Sequence, residues 1–110
     1  MWTPDPAKII TAEAKAAAQN DALVALYEEA IQAFVDAKPR ERAFRDGVTL
    51  ASYAASTNAV WQAEALAFIA WRDEVWGYAY VELAKVLAGE RSRPTVETFL
   101  AELPVLVWPG

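Results

Sequence analysis

The stretch from Trp61 to Leu87, WQAEALAFIAWRDEVWGYAYVELAKVL, constrains the fold most, because it reads as one long amphipathic helix and holds three of the chain's five tryptophans. At steps of three and four, Trp61, Ala65, Phe68, Val75, Trp76, Ala79, Leu83 and Val86 fall on one stripe, the pattern that burial against other helices requires. Ser56 or Thr57 is the expected N-cap and Gly89 the expected stop, giving a helix over 57–88 with Lys85 at the negative end of its dipole. Roughly 31 residues at about 1.5 Å each make a rod of about 46 Å. A compact chain of this size has a radius of gyration near 13 Å, so the molecule is expected to be elongated.

A second rod precedes it. Asp5 followed by Pro6 is a good helix start, and from Ala7 to Ala37 there is no Gly or Pro; Pro39 disfavours helical geometry at Lys38, so the helix is placed at 6–37. Its later half is apolar on two sides, with Leu23, Tyr27, Ala30 and Phe34 on one stripe and Val24, Ile31 and Val35 on another, as in a helix lying between two partners. A heptad reading (Ile9, Ala12, Ala16, Gln19, Leu23, Leu26) has small or polar residues where a zipper needs bulk, which argues against a self-standing coiled coil.

Between the rods, the basic cluster KPRERAFR (Lys38–Arg45) leads into a shorter helix expected over 41–54, with Phe44, Val48 and Ala51 facing inward. Gly47 inside it costs about 1 kcal/mol relative to Ala, and close packing against a tryptophan of the long helix is the expected reason. The cluster is read as solvated surface, with an acidic partner surface as the sharper alternative. After the polar linker 90–93, Pro94 and Thr95 open a short helix over 95–103, and Pro104 ends it. The apolar tail 104–110 is expected to lie extended on the helices or on a neighbouring subunit. The whole is read as one all-α domain over 1–110, an elongated helical hairpin or bundle.

Composition narrows the chemistry. The net charge of −5 argues against nucleic acid or an anionic membrane surface as partner, since both call for a basic face. Cys and His are both absent, which removes thiol nucleophiles, thiolate metal sites and the commonest general base. Adjacent carboxylates such as Glu28 with Glu29 or Asp73 with Glu74 point about 100° apart on a helix, so they share neither a proton nor a metal. No Gly-rich phosphate loop or nucleophile elbow occurs. No cofactor, no metal site and no catalytic residue is expected, and the longest uncharged run, from Gly47 to Ala63, is too polar for a membrane span. The first residues, Met1 to Asp5, show no signal-peptide pattern.

The candidate residues are therefore contact residues. Arg72 lies on the apolar stripe with only Phe68, Ile69, Val75 and Trp76 at the three-and-four positions, so it must stack on Trp76 and reach water, pair with an acid of another helix such as Asp46 or Asp36, grip an anionic ligand, or pair across a subunit interface. Trp71 and Tyr78 lie off the stripe beside Glu64, Glu82 and Lys85, marking either a partner surface or burial under the tail. Leu106 and Trp108 of the tail complete the partner-binding set.

Taken together, SYAASTNAVWQAEALAFIAWRDEVW, AYVELAKVLAGERSRPTVETFLAELP and the closing Trp108-Pro109 resemble the C-terminal regions of small tailed-bacteriophage proteins encoded near tail-fibre genes, grouped as tail-fibre or tail assembly chaperones. The resemblance covers about 44–109, and its most specific parts are Trp71-Arg72-Asp73 with Trp76, and Leu103-Pro104 running to Trp108-Pro109. The chain departs from the assembly-chaperone pattern in lacking an Arg-and-Asp-Trp middle segment. The resemblance implies a non-catalytic helical protein that assists or joins a phage tail or tail fibre, in the host cytoplasm during assembly or in the virion tail. Its expected partners are a tail or fibre protein and further copies of itself. A rival from another class is a small-molecule-binding helical bundle with tryptophans around its pocket.

Overall fold

The computed structural model describes residues 12–110, which form four α-helices and no strand. The helices are α1 (Ala12–Arg40), α2 (Gly47–Ala51), α3 (Ala59–Leu87) and α4 (Val96–Glu102), with a 3-10 turn at Ser52–Ala55 after α2. The fold is all-α and extended, as expected; its radius of gyration exceeds that of a compact globule. The expected start of the first helix at Asp5 and Pro6, and Ile9 of the heptad reading, lie outside the described residues.

α1 and α3 form an antiparallel hairpin. The Phe34 ring meets that of Trp71 at 5.8 Å, and nearer the start of α1 the Tyr80 hydroxyl donates to Glu28 at 3.0 Å. α1 therefore overhangs the end of α3, and every residue from 12 to 22 whose burial is described is exposed. From Leu23 onward α1 is covered, and the fully buried line is Tyr27, Ile31, Val35 and Pro39 at steps of four. The two stripes merge there, because α1 packs against α2, α3 and α4 at once.

Pro39 does not stop α1 at Ala37; it lies inside the last turn, which reaches Arg40. The chain then leaves through a turn in which Phe44 N–H donates to Pro39 O at 3.0 Å and Ala43 N–H to Arg40 O at 3.3 Å, with Ala43 at φ 66°. This is a Schellman ending with alanine in the left-handed position that usually holds glycine. α3 ends the same way with its glycine in place: Gly89 has φ 76°, and Glu90 N–H donates to Lys85 O at 2.9 Å.

The second helix is consequently shorter than 41–54. Residues 41–46 are turn and loop, and Asp46 caps α2 by accepting from Thr49 N–H at 2.8 Å, a bond that holds its carboxyl below the usual range. Gly47 is thus the first residue of α2 rather than an interior one. A Cβ there would lie 3.0 Å from both Asp36 Oδ1 and Phe68 Cζ, so the close approach is to a phenylalanine and not a tryptophan. α3 is capped by Asn58, two residues after the expected Ser56 and one after Thr57, through Val60 and Trp61 N–H at 3.1 and 3.2 Å.

The buried face of α3 is rotated from the sequence stripe. Ala65, Phe68, Val75, Ala79 and Leu83 are buried as expected, but Trp71 joins them and Glu64 is nearly covered, while Trp61 is 46% exposed and Trp76 and Val86 are half-buried. Trp76 stacks on Tyr80 at the edge of the helix, 5.5 Å between ring centroids. α4 closes one side: Phe99 is buried edge-on against Tyr27 at 5.3 Å, and the Tyr27 hydroxyl donates to Pro94 O just before α4.

Candidate functional site

The tail decides which surfaces remain open. It runs extended from Pro104 back along α3, with Leu106 and Trp108 half-buried and Val105 and Val107 about 80% exposed, the alternation of an extended strand. Trp71 Nε1–H donates to Pro104 O at 2.7 Å, satisfying the one polar atom of a ring otherwise packed on Phe34 and Phe68. Further along, Arg42 of the turn lies over the Trp108 ring at 5.3 Å and within 3.9 Å of Glu64, so it pins the tail to the helix. Leu106 packs on the same core cluster.

A polar network holds α4 beside Tyr78. The Tyr78 hydroxyl donates to Glu102 at 2.5 Å, Arg91 pairs with Glu102 and with Glu82 at 3.0 Å, and Lys85 meets Glu82 at 2.8 Å. Glu102 is held below the usual carboxyl range by Arg91 first and Tyr78 second, and Glu82 by Lys85 first. The Tyr78 phenol is pushed up, chiefly because its proton is held by Glu102. Both carboxylates are occupied by cations, which ties the end of α3 to α4.

Of the expected contact residues, Trp71, Tyr78, Leu106 and Trp108 are thus used within the chain: Trp71 and Tyr78 lie under the tail and α4, and the tail's own Leu106 and Trp108 face inward. Arg72 pairs with neither Asp46 nor Asp36. Its Nη2 lies 3.0 Å from Asp73 Oδ1, so the neighbouring residue of its own helix neutralises it at the surface. Asp36 instead accepts from Gly47 N–H at 3.1 Å and Gln32 at 3.1 Å.

Among the open surfaces of the described residues, two stand out. The first is an uncharged strip on the early turns of α3, where Ala59, Val60, Ala63, Leu66 and Ala70 are all exposed, Val60 and Leu66 by 65% and 51%. Pro109 and Gly110 border it, lining a shallow groove with Ala59, Val60 and Ala63. The second is a cleft of about 440 Å³ between the 41–46 turn and the start of α3, lined by Arg42, Phe44, Arg45, Thr49, Tyr53 and Trp61. The sequence signalled the cleft only through its basic cluster. Tyr53 carried no signal, and the cleft needs the turn that the expected helix would have replaced.

No group of His, Cys, Asp and Glu among the described residues is placed to hold a metal ion, and no described helix is long and apolar enough to cross a membrane. Compared with known protein families, curated proteins and solved structures, the chain matches none.

Proposed function

We propose that this chain is a non-catalytic contact protein that assists assembly of, or stays attached to, the tail or tail fibre of a tailed bacteriophage, acting in the host cytoplasm during assembly. The phage assignment is supported by the sequence resemblance over 44–109. The contact role is carried by one observation, the exposed uncharged strip Val60, Ala63, Leu66 and Ala70 that the tail borders but does not cover. A strip of this kind loses little by desolvation and gains by burial against a second copy or a fibre chain.

Co-expression with the tail-fibre protein of a phage encoding this chain tests the role. The soluble, trimeric fibre yield is expected to fall when this chain is left out. An unchanged yield, together with absence of the chain from purified virions, overturns the proposal. Light scattering is expected to show self-association that rises with concentration.

A further inference from the structure

The cleft at the 41–46 turn is unlike the rest of the surface. Lys38, Arg40, Arg42 and Arg45 fall within eight residues of a chain whose net charge is −5. Of the nearby acids, Glu41 is paired with Lys38 at 3.3 Å and Glu64 with Arg42 at 3.9 Å, while Asp46 and Asp36 accept from neutral N–H groups and keep their charge; none of the four lines the cleft, whose charged lining is Arg42 and Arg45. Among the described residues Arg45 has no carboxylate within 4.0 Å; Asp46, its sequence neighbour, acts on it only at longer range. Arg40 donates its Nε–H to the Arg45 carbonyl at 3.2 Å, which fixes the backbone that carries the Arg45 side chain.

Beside this cation runs a row of rings. Phe44 meets Tyr53 edge-on at 5.3 Å, and Tyr53 meets Trp61 edge-on at 5.6 Å. Trp61 is 46% exposed, although it is the residue the sequence stripe places in the core. The rings hold one another in place, so little freedom is lost when a ligand covers them. Tryptophan, tyrosine and arginine are also the residues that dominate contact energies at protein interfaces. The left-handed Ala43 between Arg42 and Phe44 sets the turn of the backbone, sending the chain from α1 into the cleft.

We propose that this cleft docks an acidic peptide segment of a partner protein, its carboxylates meeting Arg45 and its apolar or aromatic side chain lying on Tyr53 and Trp61. Charge complementarity selects the class. A long polyanion such as a nucleic acid would bring its phosphates against the remaining acidic surface, whereas a short segment needs only the local cluster. The site is separate from the apolar strip of α3, so it stands or falls independently of the fibre-assembly role.

The test is an NMR titration of the full chain, isotope-labelled, with the synthetic peptide acetyl-Glu-Asp-Phe-Glu-Asp-amide. Its controls are the same peptide with Gln and Asn for the acids and with Ala for Phe. The Trp61 indole N–H and the amides of residues 42–45 are expected to shift saturably with the acidic peptide, and weakly with either control. Arg45→Gln, an exposed position, is expected to leave the fold intact by circular dichroism and to weaken binding about fivefold. Arg45→Glu is expected to weaken it further, and added salt to do the same in the native chain. Equal response to the uncharged peptide, shifts that map elsewhere, or binding indifferent to Arg45→Glu would overturn the proposal. So would tighter binding of phenylacetate, which would make the cleft a small-molecule site, or of a short single-stranded DNA.

Discussion

Two apolar strips lie on α3, and the chain covers only one of them. Under the tail lies Trp71 and under α4 Tyr78, large rings on a flank that also carries Glu82 and Lys85; elsewhere on the helix lie Val60, Ala63, Leu66 and Ala70, small or aliphatic and without a charge. By size and aromaticity the first strip is the better interface anchor. The molecule uses it on itself, because an indole and a phenol each need a hydrogen-bond partner in addition to a dry surface, and the tail and α4 supply both. The aliphatic strip has no polar atom to satisfy, so nothing obliges the chain to cover it. Bulk on a flank therefore marked an intramolecular clasp, and the plainer surface is the one left exposed.

The contrast gives graded expectations. Trp71→Ala removes a ring packed on Phe34 and Phe68 and the anchor of the tail, and is expected to cost about 3–5 kcal/mol in denaturant melts. A loss below about 1 kcal/mol would mean that the clasp is superficial. Gly47→Ala, which forces a methyl against Phe68 and Asp36, is expected to cost about 1–3 kcal/mol, and Gly77→Ala, where no atom lies within 4 Å, to stabilise slightly.

The covered strip also has an acid-side signature. Glu102 is depressed in the folded chain, so its contribution is complete above its unfolded value near 4.5 and is lost as pH falls through the lower folded value. Thermal melts are expected to decline below about pH 4.5, more shallowly in Glu102→Gln, with Glu82 and Asp46 supplying the remaining slope. An identical acid limb in the variant would show that Arg91 and Tyr78 do not hold the carboxylate in solution. The uncovered strip should give the smallest effect on folding: Val60→Gln with Leu66→Gln is expected to shift stability by under about 0.5 kcal/mol per site, while reducing self-association in light scattering. Unfolding by that pair would place the strip in the core.

Much of this was legible in the residues. Helical class, two long rods, elongation and the Gly89 stop follow from local pattern, since period, capping and a left-handed glycine act within one or two turns. The Schellman ending at Ala43 was not legible, because alanine carries no signal for that geometry; tertiary packing of Phe44 and Pro39 imposes it, and the expected 41–54 helix fails there. The Asp73 partner of Arg72 was not legible, because it is the adjacent residue, a position that helical spacing of three and four passes over.

The sequence alone thus determined which segments become rods and that thiol and imidazole groups are absent, because both depend on local propensity and on residue types that are simply present or absent. Only the tertiary structure decided which face of α3 is buried, that Trp71 is a clasp, and that Phe44, Tyr53, Trp61 and Arg45 share a cleft. Those outcomes depend on where the tail and the 41–46 turn return to the helix. Such returns join residues tens of positions apart, and no periodicity within a single helix records them.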